Sequence, residues 1–408
     1  MAKISPFKAL RPQVALANQV ASPPYDVLNS EEAKAAAAGN PHSFLHVTKS
    51  EIDLDESVDV HSAAVYQKAK ENLETFRSNG TLFREEKPCY YIYQLVMNGR
   101  SQTGLVCGSS VDDYENDIIK KHEFTRPEKE QDRINHIQTS GAQTGNVFLA
   151  YRNVEAIDLL IEQWKDERTP TYDFTAEDGI QHTIWVINHD ETIQHITSLF
   201  EESVPYTYIA DGHHRAASAA KVRKVLGADA QPGADYFLTT LFPSSQLHIM
   251  DYNRVVKDLN GQSIEEVLAK LGKDFEIEKA ATEVKPGELH QMGMYANGQW
   301  YQLTAKEGAY QQDPIGVLDI TILQEKVLDP IFGIKDQRTD KRIDFVGGIR
   351  GIGELTKKVD SGNWAIAFSL YPVSIQQLFD IADSGNVMPP KSTWFEPKLR
   401  DGLLTHLI

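Results

Sequence analysis

The chain has 408 residues and a formal net charge of −17 at pH 7, and 41% of its residues are hydrophobic. This length and composition predict a globular protein of two or three domains. The sequence lacks a run of about 18 apolar residues, so we expect no membrane span. The negative charge argues against nucleic acid as a partner, because nucleic-acid binding depends on neutralising phosphates. Cys89 and Cys107 are too few for a disulfide framework or a four-cysteine zinc site, and the first residues lack the apolar core of a signal peptide, so we expect a cytoplasmic location.

The first chemically distinctive stretch is Ser22-Pro-Pro-Tyr-Asp-Val27. Paired prolines fix an extended backbone and would present Tyr25 and Asp26 rigidly, although an ordinary structural turn explains the same residues. A helix is predicted between Ser57 and Asn79, and Gly80 is its stop signal.

Two strands, Cys89–Met97 and Gln102–Val111, are predicted to form a hairpin, because Asn98-Gly99 between them is a strong hairpin signal. The charged run Asp113–Arg133 follows. A solvated helix face is the ordinary explanation of such a run.

Thr125-Arg126-Pro127 interrupts this run, and proline is favoured in the first turn of a helix. We therefore predict a loop that carries His122, Glu123 and Arg126, followed by a helix that begins near Pro127.

Strands and helices then alternate, which is typical of an α/β architecture. The predicted strands are 146–151, 182–188 and 235–242, and the predicted helices are 154–166 and 191–202.

The segment Tyr206–Lys221 predicts a strand, a tight turn and a helix, with Asp211 as N-cap and Gly227 as C-cap. Gly212 lets the backbone turn, and the helix N-terminus offers N–H groups and the positive end of its dipole to an anion. Three further residues of the first turn could add donors to the same anion: His213, His214 and Arg215. An ordinary strand–helix junction with surface histidines is the alternative.

The pattern changes from about Ser263, where a helix and a strand pair around Gly298 predict a small α+β unit. The tail from Met388 to Lys398 is too aromatic for a free end, so we expect it to fold back and supply Lys391 or Lys398 to the site. The predicted domains are an α/β core over 1–260, a small subdomain over 261–340 and a C-terminal segment over 341–408 that returns to the core.

Two resemblances add to these predictions. The box Asp211-Gly-His-His-Arg-Ala-Ala217, followed by Lys221, resembles the phosphate-binding box of the ParB/sulfiredoxin superfamily, which includes free-serine kinases. The whole chain resembles a bacterial family known as domain of unknown function 1015, through residues 22–27, 122–126, 132–133 and 388–398. The first resemblance implies a ParB/sulfiredoxin-like mixed-sheet core, here with an additional small α+β subdomain.

The box resemblance implies a nucleotide-dependent phosphotransferase whose acceptor is a small hydroxyl-bearing metabolite such as serine, with ATP or ADP and Mg²⁺ as cofactors. The candidates for catalysis are Glu123, Asp211, His122 and Asp26. Residues expected at the phosphates are Gly212, His213, His214, Arg215, Arg126 and Lys391. Candidates for substrate contact are Tyr25, Arg133 and Arg254, and Asp211 is also the candidate metal ligand.

Two other functions fit the same residues: a nucleotide-binding switch of ParB type and a small-molecule phosphatase. An enzyme of the first kind consumes nucleotide only with an acceptor, a switch binds nucleotide and changes shape, and a phosphatase needs no nucleotide. The sequence leaves open the acceptor, the nucleotide and the oligomeric state.

Overall fold

The computed structural model describes residues 1–408, apart from the side chain of Ala228, and contains two structural units. The first unit comprises Met1–Leu247 and Pro397–Ile408, and the second comprises His248–Glu396. These bounds differ from the predicted boundaries near residues 260 and 340. The predicted third segment, 341–408, is divided between the two units. Its strands Ile343–Gly347 and Ile366–Leu370 join the sheet of the second unit, and only its last residues, His406–Leu407, pair with a strand of the first unit.

The strands are, in chain order, β1 (Ile4–Ser5), β2 (Leu10–Pro12), β3 (Leu82–Arg84), β4 (Tyr90–Met97), β5 (Arg100–Ser110), β6 (Ile119–Lys120), β7 (Ala142–Gln143), β8 (Val147–Tyr151), β9 (Tyr172–Thr175), β10 (Gln181–Ile187), β11 (Thr207–Asp211), β12 (Tyr236–Pro243), β13 (Ile249–Met250), β14 (Tyr252–Val256), β15 (Phe275–Ala280), β16 (Gln291–Ala296), β17 (Gln299–Ala305), β18 (Ile343–Gly347), β19 (Ile366–Leu370), β20 (Trp394–Phe395) and β21 (His406–Leu407).

The α-helices are α1 (Ala17–Val20), α2 (Ser30–Ala37), α3 (Leu45–Thr48), α4 (Ala63–Ser78), α5 (Val111–Glu115), α6 (Pro127–Ser140), α7 (Glu155–Glu167), α8 (Asp190–Ser203), α9 (His213–Leu226), α10 (Ile264–Leu271), α11 (Asp319–Leu323), α12 (Gly353–Asp360) and α13 (Ile375–Asp383). Among the described residues, none of these helices combines the length and apolar character that crossing a bilayer requires.

The first unit is built on a nine-stranded sheet in the order β6-β11-β8-β12-β5-β4-β10-β9, with β1 beside β5. The pairs β6/β11 and β8/β12 are parallel, and the other pairs are antiparallel. The predicted α/β class with a mixed sheet is therefore confirmed. The predicted hairpin is confirmed too, since Asn98 and Gly99 join β4 to β5 with φ angles of 51° and 76°.

The core of this unit lies where helices cover the sheet. All five residues of β8 are buried, and three of them, Val147, Leu149 and Tyr151, belong to one apolar cluster with Ile157 and Ile161 of α7 and Ile196 and Phe200 of α8. A strand that is buried along its whole length is a rigid support for the loops at its ends, because moving it would expose apolar surface at about 25 cal/mol per Å².

The junction between β11 and α9 is held from both sides. The residues Thr207–Ala210 of β11 are buried, and Ala216, Ala219 and Ala220 of α9 belong to the same core cluster. Alanines favour the helix and let it approach the sheet closely, and α9 ends at Gly227 as predicted. The N-terminus of α9 is thereby fixed at the edge of the core.

The second unit contains a six-stranded sheet in the order β15-β17-β16-β19-β14-β18, in which all neighbours are antiparallel. Its helix α10 begins with a capping box between Ser263 and Glu266. Helix α11 is a short α-helical segment that continues as a π-helical turn over Gln324–Leu328. The apolar pair Trp394–Phe395 also belongs to this unit, where it pairs with β13.

Candidate functional site

The turn between β11 and α9 has a different cap from the predicted one. Gly212 is the N-cap, with φ 99°, and no side chain caps the helix. A Cβ atom at this position would lie 3.3 Å from Val147 Cα and 3.4 Å from Arg215 Nη1. The prediction of Asp211 as N-cap is wrong, because Asp211 is the last residue of β11 and a glycine is required where the backbone turns left-handed next to other atoms.

The carboxylate of Asp211 points to a lysine instead. Lys398 donates from Nζ to Asp211 Oδ2 at 3.2 Å. Burial would raise the pKa of Asp211, but the charges of Lys398 and Arg215 hold that pKa below its ordinary value. Asp211 is therefore ionised at neutral pH and already balanced by cations.

Arg215 is the central charge of this site. Its side chain is 9% exposed; Nη2 donates to Asp26 Oδ2 at 2.7 Å and Nη1 donates to the carbonyl oxygen of Asn146. Burial alone would lower the pKa of Arg215, but Asp26 and Asp211 raise it well above the ordinary value. The Nε atom is buried and has no hydrogen-bond partner among the described residues, so one donor of the guanidinium is unused.

Asp401 is a carboxyl group of this site that the sequence did not reveal. Burial raises its pKa to about 7, partly offset by Arg215, and its Oδ2 atom has no partner among the described residues. A Cβ atom on Gly145 would lie 3.4 Å from Asp401 Oδ1 and 3.5 Å from Arg215 Cδ, so the two side chains lie at the same glycine. The Asp401-Gly402 pair looks like an ordinary turn in the sequence, and no further signal marks it.

The three histidines of the site organise a loop. His122 and His213 are both buried and meet edge to face with ring centroids 4.5 Å apart. The backbone N–H of His122 donates to His213 Nε2 at 3.4 Å, and the backbone N–H of Arg126 donates to His214 Nε2 at 2.9 Å. In the structure, these Nε2 atoms are acceptors from the predicted loop 121–126, not donors to an anion.

The histidines are also electrically neutral near pH 7. Burial lowers the pKa of His122 to about 4. Burial, together with the charge of His122, lowers the pKa of His213 well below its ordinary value. Burial also lowers the pKa of His214. Positive charge at the N-terminus of α9 therefore comes from Arg215 and not from its two histidine neighbours.

Glu123 and Arg126 are the solvent-facing members of the loop. Glu123 Oε2 lies 3.9 Å from His213 Nδ1, and the Glu123 side chain is 48% exposed. Arg126 is exposed and joins the site through its backbone. Helix α6 begins at Pro127 directly after this loop, as predicted.

A pocket of about 380 Å³, counted out to its open mouth, adjoins Arg215. Two guanidinium groups make cation–π contacts with the ring of Tyr25. The guanidinium of Arg133 lies 3.9 Å from the ring centroid, and the guanidinium of Arg215 lies 5.6 Å from it. Arg133 is paired with Asp132, whose carboxylate also accepts from Tyr66. The polar part of the lining consists of Tyr25, Arg133, His136, Gln143, Thr144 and Arg215.

Two predicted site residues, Lys391 and Arg254, belong to the second unit. There the Nη2 atom of Arg254 donates to the carbonyl oxygen of Lys391 at 2.8 Å. The lysine that pairs with Asp211 is Lys398, the other lysine that the sequence suggested.

A magnesium ion has no preformed site in this arrangement. Among the residues that the structure describes, no three His, Cys, Asp or Glu side chains are grouped so that they could hold a metal ion. Asp211, the predicted ligand, accepts a hydrogen bond from the ammonium group of Lys398 and lies close to Arg215. Both of these cations would repel a divalent metal ion. Asp211 therefore does not fit the role of a direct Mg²⁺ ligand.

The fold and the pocket define an α/β protein with a buried arginine at a helix N-terminus. A family model described as Protein of unknown function (DUF1015) matches residues 4–321, which is more than half of the chain. The chain therefore belongs to this family. A search among curated proteins gave no match.

Several solved structures resemble the chain weakly, each over 74% of its length. A free serine kinase variant in complex with AMP is 13% identical, with a TM-score of 0.37 and 92% of that chain covered. SbnI with a C-terminal truncation from Staphylococcus aureus is 13% identical, with a TM-score of 0.38 and 87% covered. A conserved hypothetical protein from Pyrococcus furiosus is 14% identical, with a TM-score of 0.36 and 95% covered. Likeness of this degree carries no argument about function.

Proposed function

We propose that the pocket of the first unit binds the phosphates of ATP or ADP and that the protein transfers a phosphoryl group to the hydroxyl of a small metabolite, with serine as the first acceptor to test. The observation that carries this proposal is Arg215, a buried guanidinium in the first turn of α9 with an unused Nε donor. A phosphate oxygen is the natural acceptor for such a donor, and the helix dipole favours the same charge. The resemblance of residues 211–217 to the ParB/sulfiredoxin phosphate-binding box supports the proposal.

Asp26 explains how Arg215 is kept in place before the nucleotide arrives. The Asp26 side chain is 41% exposed, in a short 3₁₀ turn over Tyr25–Val27, so it can rotate away at little cost. We expect an incoming phosphate to displace Asp26 from Arg215, because a phosphate offers more charge and more acceptor oxygens to the guanidinium.

Glu123 is the carboxylate that we assign to the acceptor. In the transfer, the acceptor oxygen forms a bond to the terminal phosphorus, the bond from that phosphorus to the bridging oxygen breaks, and the hydroxyl proton moves to the carboxylate. Glu123 is half exposed and lies beside His213 at the start of α9, so it can approach a bound acceptor. His213 and His214 hold the backbone of the loop that carries Glu123. Catalysis would then depend on positioning and charge, as is usual for phosphoryl transfer.

Nucleotide titration of an arginine variant tests the proposal. Arg215→Lys keeps the charge but removes the planar fork, and we expect it to weaken ATP and ADP binding by about 10–100-fold, as for loss of a charge-assisted pair. Arg223→Lys is the matched control, because it makes the same change on the same helix at a residue that pairs with Asp112 and Asp235. Calorimetry measures affinity, and turnover is then measured with serine.

The outcomes separate the three candidate functions. Nucleotide consumption that requires an acceptor supports the phosphotransferase. Binding and a shape change without consumption would identify a switch, and release of phosphate from phosphoserine without nucleotide would identify a phosphatase. Equal nucleotide affinity in Arg215→Lys and the parent protein would show that the nucleotide binds elsewhere.

A further inference from the structure

The second unit contains its own pocket, with two buried groups of opposite charge on its walls. The pocket measures about 300 Å³ when the open solvent at its mouth is counted, and its enclosed part has room for only about one water molecule. Leu289 lies on the lining and is 37% exposed, so the pocket opens to solvent there. Arg254 and Asp319 both line it. A ligand of this pocket must therefore be small.

Arg254 is fully buried without an anionic partner. In the described part of the chain its donors contact only neutral oxygens: Gln337 Oε1 and the carbonyl oxygens of Tyr252, Pro390 and Lys391. Burial lowers the pKa of Arg254 to about 9, with only a small opposing effect from Tyr252. A guanidinium has five N–H groups, and a buried cation that lacks a counter-charge is costly, so this position calls for an anion.

Asp319 is the opposite case on the same pocket. The residue is 3% exposed; Oδ1 accepts from the backbone N–H of His290 at 2.8 Å, and Oδ2 has no hydrogen-bond partner among the described residues. Burial raises the pKa of Asp319 to about 7, and the backbone amides of His290 and Tyr371 offset part of this rise. The pKa of Arg254 follows from burial and Tyr252, and the pKa of Asp319 follows from burial and two backbone amides, so the two side chains do not neutralise each other.

The side chain of Arg254 is held in place by a chain of hydrogen bonds. Gln324 lies in the π-helical turn that follows α11, and its Oε1 accepts from Gln337 Nε2 at 2.8 Å. The Oε1 atom of the same Gln337 accepts from Arg254 Nε at 3.2 Å. Gln337 is 4% exposed, so this chain of hydrogen bonds is protected from water. Asp319 begins α11 itself, and π-helical turns occur frequently at functional sites.

We propose that this pocket binds a small zwitterionic amino acid, with its carboxylate on Arg254 and its ammonium group on Asp319. A zwitterion supplies both missing counter-charges at once, whereas an anion or a cation alone leaves one of them buried and unbalanced. The proposal goes beyond the nucleotide site and does not depend on it.

Calorimetry on the full chain tests the proposal with glycine, L-alanine and L-serine at pH 7.5. Acetate and methylammonium at equal ionic strength are the single-charge controls. We expect at least one of the three amino acids to bind, and each single-charge compound to bind at least about tenfold more weakly. Amide hydrogen exchange should show protection of peptides that cover 316–328 and 389–393. Failure of all three amino acids to bind would overturn the proposal.

Two variants locate the binding. Asp319→Asn keeps the shape of the side chain and removes its charge, so the amino acid should bind at least about tenfold more weakly, while ADP affinity stays unchanged. Arg254→Lys should weaken the amino acid in the same way. Equal amino-acid affinity in Asp319→Asn and the parent protein would overturn the proposal, as would loss of amino-acid binding in Arg215→Lys, which would assign the ligand to the first unit.

Discussion

The two units each bury an arginine, and the two arginines differ in their surroundings. Arg215 has Asp26 as a direct partner and Asp211 and Asp401 close by, and its pKa is raised well above the ordinary value despite burial. Among the described residues, the N–H groups of Arg254 donate only to neutral oxygens, and burial lowers its pKa to about 9. One cation is held by carboxylates of the chain, and the other lacks any.

The difference separates two ways of preparing a binding site. In the proposed nucleotide site, Asp26 occupies the place of the ligand at Arg215, so the guanidinium keeps a counter-charge in the free protein and the ligand must compete with Asp26. At Arg254 the described residues supply neutral oxygens but no carboxylate, so the proposed amino acid would relieve the cost of an uncompensated charge on binding.

Phosphoryl transfer is expected only in the first unit. Glu123→Gln should lower turnover by about 10²–10⁴ while nucleotide affinity stays unchanged, because the amide cannot accept the hydroxyl proton. Glu128→Gln, an exposed carboxylate in the first turn of α6, is the control and should retain turnover. Steady-state rates with serine and calorimetry with ADP measure the two quantities. If Glu123→Gln keeps full turnover, Asp26 is the next candidate.

Removing each buried arginine should affect stability unequally. Arg215→Met should lower the free energy of unfolding by about 3–5 kcal/mol, because it leaves carboxylates buried without their cation. Arg254→Met should cost only about 1–2 kcal/mol, because loss of an uncompensated charge offsets the loss of hydrogen bonds to carbonyl oxygens. Urea denaturation at pH 7 measures both. Equal losses would mean that the charge surroundings of the two arginines do not matter.

The buried carboxyl groups should make stability depend on pH. Both Asp401 and Asp319 have pKa values raised to about 7, so their protonated forms stabilise the fold; this contribution is complete below the ordinary pKa near 4 and is lost as pH rises through about 7. Asp401→Asn and Asp319→Asn should therefore melt near the parent temperature at pH 4 and a few degrees above it at pH 8.

The exposed Asp166 supplies the control for these melts, since Asp166→Asn should follow the parent protein at both pH values. A lower melting temperature than the parent at pH 8 in both buried variants would contradict the pKa directions given for Asp401 and Asp319.

Local signals in the sequence were sufficient for most of the elements. Asn98-Gly99 predicted the hairpin, Pro127 the start of α6 and Gly227 the end of α9, because each of these residues restricts or permits its own backbone conformation. Gly212 and Arg215 of the candidate site were found for the same reason, since a strand, a glycine turn and a helix follow one another directly.

What the sequence could not supply depends on distant residues. Asp401 meets Arg215 and Lys398 meets Asp211 across about 190 positions, and no local pattern measures such a distance. The neutral state of His122 and His213 follows from burial in the folded chain, which their polar sequence neighbours concealed. The predicted boundary near residue 340 differs from the observed one, because Trp394 pairs with a strand of the second unit and the chain returns to the first unit only at Pro397.

The return of residues 397–408 to the first unit also has a consequence during synthesis on the ribosome. Asp211 and Arg215 are made before the whole of residues 248–396, whereas Lys398, Asp401 and strand β21, which pairs with β7, follow that stretch. At about 5–20 residues per second, translation of the intervening stretch takes roughly 7–30 s. For that interval the nascent first unit has an open edge at β7 and an Asp211 without its lysine, so a chain interrupted in the second unit cannot assemble the candidate site of the first unit in its final form.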